Sequence, residues 1–281
     1  MRLQQRIILG KTMNRWRNWI WAICLLLSAV PMARGQATTR PAAPLISGDV
    51  VARGPWLLHL PGIGGYLGCD RRLLSGLRQG GVEAQFQVYD WTEHDPGLNA
   101  LHAYNRNRDE AHKIADLIQA RFAADSTSPI YLTAHSGGCG LAVWALEKLP
   151  ADVKVDTVLL LAPALSPGYD LSAALRHVRN HAYAFTSTND TIVLSTGTRM
   201  FGTIDGVRGD AAGFAGFVMP IGADGQLYAK LIARPYESGW LQYDNWGDHI
   251  GPLSRPFAAA VLAPLLEPST VASTTQPSVN Q

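Results

Sequence analysis

The chain is poor in charge and in sulfur: Asp, Glu, Lys and Arg supply 16% of its 281 residues, and it has three cysteines. No lysine- or arginine-rich patch runs through the body of the sequence, so nucleic acid and anionic membrane surfaces find nothing to hold. No apolar run reaches the ~20 residues that cross a bilayer. The glycine-rich "PGIGG" at 61–65 lacks the G-x-G-x-x-G spacing and the G-K-[S/T] ending, which leaves a nucleotide-phosphate loop unsupported there. "WTEHD" brings Glu93, His94 and Asp95 together, but no partners follow at metal-ligand spacing, and no metal or cofactor is expected. No repeat of 20–50 residues is visible.

What charge there is lies unevenly. Six of the 24 Lys and Arg fall in residues 1–35 with no acid among them, which leaves 18 basic against 22 acidic residues in the rest. The sequence pI near 8.5 therefore reflects this short segment. In it, Arg15 and Arg17 precede "NWIWAICLLLSAV", an apolar core of roughly a dozen residues, and small residues follow at Ala33 and Gly35. This is the pattern of a secretory signal peptide over 1–35, cut before Gln36. It implies an exported protein, periplasmic or secreted, with no stable membrane anchor after cleavage. Cys24 follows Ile23 rather than a small residue, so lipid attachment is not expected. Cys69 and Cys139 remain, and an oxidising compartment permits a disulfide between them; two buried thiols are the alternative.

Residues 36–47, "QATTRPAAPLIS", read as a linker, and 268–281 as a disordered Ser/Thr/Pro/Gln tail that lacks the apolar area to fold. The domain occupies 48–267, where strand-like and helix-like segments alternate. "WLLHL" is an apolar strand, "DRRLLSGLRQGG" a helix stopped by Gly80–Gly81, and "VEAQFQVYDW" an alternating strand. "NRDEAHKIADLIQARFAA" sets Ala111, Ile114, Ala115, Ile118 and Phe122 on one stripe. "IYLTA", "TVLLLAPAL" and "HAYAFTST" are further strands, separated by "GLAVWALEKL" and "DLSAALRHV", and "LYAKLIARPY" is expected as the last strand. The order predicts an α/β fold, a mostly parallel central sheet with helices on both faces. Ligands of such sheets sit at the carboxyl ends of the strands.

Ser136 stands at one such end, in "YLTAHSGGCGL". A strand that turns sharply into a helix strains its central residue and projects that side chain outward. Neighbours two positions away must then be small, as Ala134 and Gly138 are. "A-H-S-G-G" resembles the nucleophile elbow of the α/β-hydrolase superfamily, with Ala for the first Gly, and a helix N-cap serine is the plainer alternative. "HLPGIGGYLG" is similar to the oxyanion loop of lipases, with Pro61 where a His is common.

The resemblance implies a lipase- or esterase-like serine hydrolase without a large cap domain. Ser136 would be the nucleophile, and the backbone N–H groups of Ile63 and Gly137 would face the oxyanion. Family chain order then asks for an acid followed by a histidine. Asp190 lies just past a strand end, with Asp170 and Asp205 as rivals. His249 lies in the Gly-flanked "NWGDHIGPL", while His177 and His181 sit on a helix-like segment and at a strand start. Tyr66 and Trp91, with Phe214 or Phe217, would line an open substrate pocket. The substrate implied is a small-molecule carboxylic ester, with a thioester or amide, or a non-catalytic binding role, left open.

Overall fold

The computed structural model describes residues 53–92 and 95–266. The signal segment, the linker, the tail, Glu93 and His94 lie outside the described residues. Six strands form one sheet: β1 (Trp56–Leu60), β2 (Gln85–Val88), β3 (Ile130–His135), β4 (Val155–Leu161), β5 (Val178–Thr186) and β6 (Leu231–Pro235). They lie in the order β2-β1-β3-β4-β5-β6, and each neighbouring pair is parallel. Parallel neighbours need crossovers, and α1 (Gly68–Gln79), α2 (Leu98–His102), α3 (Tyr104–Ala124), α4 (Gly138–Leu146) and α5 (Ser172–Leu175) lie in them.

The period-two character of the strands divides the core. Trp56, Leu58 and Leu60 of β1, Ile130, Leu132 and Ala134 of β3, and Val158 and Leu160 of β4 face α3 and α4. Leu57, Tyr131, Leu159, Leu161 and Phe185 face α1 and the C-terminal helical run 255–266. Successive strand side chains point to opposite faces, so a strand buried on both reads as a continuous apolar run. Each fully buried Leu here is worth about 1.5–3 kcal/mol relative to exposure.

Two expectations are corrected. The last strand covers 231–235 only, because Asp224 caps a short helical turn, Gly225–Tyr228, through its carboxylate and the N–H groups of Gln226 and Leu227. "LYAKLIARPY" carries both patterns, and the cap decides where the helix ends and the strand can start. β5 begins at Val178, which puts His181 inside the strand, paired with Thr157, and not at its start.

α1 lies directly against the C-terminal run. A Cβ on Gly76 would stand 2.4 Å from the Arg255 carbonyl oxygen, and one on Gly80 would stand 2.4 Å from the Ala263 Cβ. Intrinsic propensity favours Ala over Gly in mid-helix by about 1 kcal/mol. Overpacking costs about 1–3 kcal/mol, so Gly76→Ala should lower stability despite the propensity gain. Urea denaturation of parent and variant decides the sign; a higher midpoint for the variant would show that the helices can separate freely.

Candidate active site

β3 ends at His135, and α4 begins at Gly138. Between them Ser136 adopts φ +53°, a left-handed conformation that costs a non-glycine residue about 1–2 kcal/mol. Its N–H still pairs with the Leu161 carbonyl as part of the sheet, while its own carbonyl accepts the N–H groups of Cys139 and Ala164. The turn is thus over-determined from both sides, which is how local strain persists. A Cβ on Gly138 would lie 2.3 Å from the Pro61 oxygen and 2.6 Å from the Leu60 oxygen. Only glycine lets α4 start there. Parallel strands in this order, with a left-handed serine turning β3 into α4, decide the architecture. The chain has the α/β-hydrolase fold.

The turn at Ser136 meets the loop that carries His249. His249 Nε2 is 3.0 Å from Ser136 Oγ, and His249 Nδ1 is 2.6 Å from Asp190 Oδ2. Asp190 follows β5 and is 4% exposed, and its other oxygen accepts the N–H of Leu194 at 3.4 Å. The rivals are engaged elsewhere. Asp205 takes the N–H and hydroxyl of Ser166, and Asp170 takes the Ser172 N–H and the Tyr228 hydroxyl. His177 is buried with Nδ1 on the Val153 carbonyl, and burial lowers its pKa.

The loop after β1 crosses the elbow. A Cβ on Gly62 would come 3.3 Å from the Ser136 Cβ, and one on Gly137 would meet the Ile63 Cγ2 at 2.8 Å. Ile63 and Gly137 are therefore neighbours, and neither N–H has a backbone acceptor among the described residues. The loop is fixed by groups on either side. The Ile63 carbonyl takes the Gly97 N–H, Asp90 Oδ2 takes the Tyr66 N–H, and Asp70 Oδ2 takes the Leu67 N–H. Sequence reasoning passed over Asp70 and Asp90. Asp90 had a local signal, an Asp two residues before Thr92, whose N–H and hydroxyl it accepts.

Trp91 does not line a pocket. It is 0% exposed, and its Nε1–H donates to the Pro61 carbonyl at 2.8 Å, beneath the loop. A buried indole must place its one donor, and the turn at Pro61 supplies the acceptor. Tyr66, 38% exposed, does face solvent. Phe214 and Phe217 pack partly against the core.

A second hydrogen-bonded chain of similar order runs below. His59 Nδ1 is 2.9 Å from Thr133 Oγ1, and its Nε2 is 3.0 Å from Asp70 Oδ1. All three residues are buried. Burial alone would raise the Asp70 carboxyl, but the hydrogen bond and charge of His59 hold it below its ordinary value. No group of three or more His, Cys, Asp or Glu among the described residues is arranged to hold a metal ion.

No family model matches this chain, and no curated relative matches it. Solved structures do resemble it. Lipase B of Aspergillus fumigatus is 16% identical with a TM-score of 0.44, the match covering 82% of this chain and 59% of that one. A lipase-esterase related protein from Clostridium acetobutylicum is 11% identical with a TM-score of 0.45, covering 76% and 94%. A thioesterase from the prodiginine biosynthetic pathway in Streptomyces coelicolor is 15% identical with a TM-score of 0.41, covering 82% and 92%. Likeness at this level assigns no reaction.

Both described cysteines are free. Cys139 is buried, its thiol donating to the Ala134 carbonyl, and burial raises its pKa. Burial and then the Asp70 carboxylate push Cys69 up to about 11. Neither thiol is poised as a nucleophile. Titration with an aromatic disulfide reagent should therefore find both thiols in the denatured, unreduced protein without its first 35 residues, and slow reaction in the native one. Finding none would mean that they are bridged.

Proposed function

We propose that this chain is an exported serine hydrolase that cleaves a carboxylic ester through a Ser136 acyl-enzyme. The observation that carries the reading is the unbroken hydrogen-bond path from Ser136 Oγ through His249 to Asp190, at 3.0 and 2.6 Å. A serine hydroxyl attacks only when a base takes its proton, and the base works only in the right tautomer. With Nδ1–H donated to Asp190, His249 presents the Nε2 lone pair to the hydroxyl.

In the reaction, Ser136 Oγ bonds to the acyl carbon while its proton passes to His249 Nε2. The carbonyl oxygen becomes an oxyanion facing the N–H groups of Ile63 and Gly137. Fixed donors need no reorganisation when that charge develops, and removing one elsewhere costs about 3–4 kcal/mol. Collapse breaks the bond to the alkoxide, which leaves with the proton from His249. Water then attacks the acyl-enzyme by the same steps in reverse order. The ester is preferred because an alkoxide leaving group asks least of a generic site. A thioesterase or amidase would use the same groups, and p-nitrophenyl, thioester and anilide substrates distinguish them. Export rests on residues 1–35 and predicts a secreted N-terminus near Gln36.

Two variants test the chemistry. Ser136→Ala should fold normally, abolish ester hydrolysis and block fluorophosphonate labelling; retention of more than a few per cent of activity would exclude Ser136 as nucleophile. Asp190→Asn should lower kcat by about 10⁴ through loss of the tautomer. Asp170→Asn and Asp205→Asn should stay within a few-fold of the parent, with circular dichroism confirming the fold of each. An inactive Asp205→Asn beside an active Asp190→Asn would reassign the acid.

A further inference from the structure

The residue before the serine is also a histidine, and it does not carry protons in the scheme above. His135 is 6% exposed, and its Nε2 lies 3.0 Å from the main-chain carbonyl oxygen of His249. The two imidazole rings stand 4.8 Å apart at 47°. A carbonyl only accepts, so Nε2 must hold the proton in this bond and Nδ1 must be bare. Nδ1 faces Gly62, whose Cβ, if present, would sit 3.2 Å from it. Burial, then the neighbouring His249, pushes the His135 pKa down to about 3, so the ring is neutral at working pH.

His249 needs such an anchor. It belongs to neither strand nor helix, lying between the helical turns Ser238–Tyr243 and Gly251–Leu253. Gly247, two residues earlier, has φ +74°. Around it, Asn245 Oδ1 accepts the Gly247 N–H, and the Asp248 carbonyl accepts the Gly251 N–H. These bonds shape the loop without gripping the His249 peptide. The bond to His135 grips it, and His135 is covalently joined to Ser136.

We propose that His135 is a positioning residue for the base: its Nε2–H, held by the His249 carbonyl, fixes the distance between the His249 imidazole and Ser136. The inference rests on the hydrolase reading given above. One peptide bond then sets both reacting groups in a common frame. A displacement near 1 Å at such a pair can cost about 10²-fold in rate, so the anchor acts on kcat.

Three substitutions separate positioning from packing. His135→Gln carries an amide nitrogen near the place of Nε2. In His135→Asn the nitrogen reaches only as far as Nδ1, and His135→Leu has no donor. With a p-nitrophenyl ester, Asn and Leu should lose about 10²-fold in kcat at nearly constant KM, and Gln should recover to within about fivefold of the parent. Fluorophosphonate labelling of Ser136 should slow in the same order. Asn and Leu variants as fast as Gln would overturn the proposal, as would an equal loss in all three with unchanged circular dichroism. Should Leu fail to fold, the Asn and Gln pair, both polar amides, decides alone. A parent enzyme that neither hydrolyses the ester nor takes the label would instead refute the hydrolase reading, and this inference with it.

Discussion

Where α4 begins, the backbone of Gly138 lies against the carbonyl oxygens of Leu60 and Pro61, with no space for one more carbon. That approach brings the end of β1 and the end of β3 into a single corner. It lets the loop that starts at Pro61 pass over Ser136, and it seats Ile63 beside Gly137. The left-handed backbone of Ser136 is the other half of the same constraint, because the chain must leave a buried strand and enter a buried helix within two residues. Trp91 closes the corner from beneath through the Pro61 carbonyl. Remove the contact at Gly138 and the loop, the serine and the indole lose their common reference.

The parts of this arrangement that were legible in the sequence follow from local rules. Ala134 and Gly138 flank Ser136 because a tight turn forbids larger side chains, and the alternation of strands and helices requires a parallel sheet. Asp190 and His249 could be selected by chain order, and the structure brings both to Ser136. The illegible parts depend on distant partners. Trp91 looks like a pocket aromatic until the Pro61 carbonyl, thirty residues away, is seen to take its N–H. His135 and His59 are ordinary strand residues by pattern, and only the crossing of loops shows what they bond. The stretch from 195 to 230 folds as short helical turns with bonds to the loop after β4, such as Ala212 N–H to Leu165 and Val218 N–H to Pro167. No periodicity announces such pairing.

Two serine- or threonine-headed chains of Asp and His stand side by side in this molecule, and burial divides their fates. Thr133, His59 and Asp70 are sealed between sheet and α1, so their bonds can only stiffen the ground on which the loop rests. In the Ser136 chain Ser136 and Asp190 are also buried, but His249 between them is part-exposed at the carboxyl edge of the sheet. Like residue types in like order therefore hold structure in one place and, on the reading proposed above, serve chemistry in the other. Access, more than composition, makes the difference.

The glycines in and just after α1 have a consequence for the order in which the chain can close. Gly76 and Gly80 receive residues 255–266, so one face of the sheet is completed by segments from opposite ends of the domain. Contacts of such long sequence separation slow folding, since the intervening chain must be ordered before they form. A nascent polypeptide cannot seal this face until its last helical residues exist. The apolar side of α1, with Leu73, Leu74 and Leu77, stays open until then. Such a chain is held in an unlocked state until its synthesis is nearly complete.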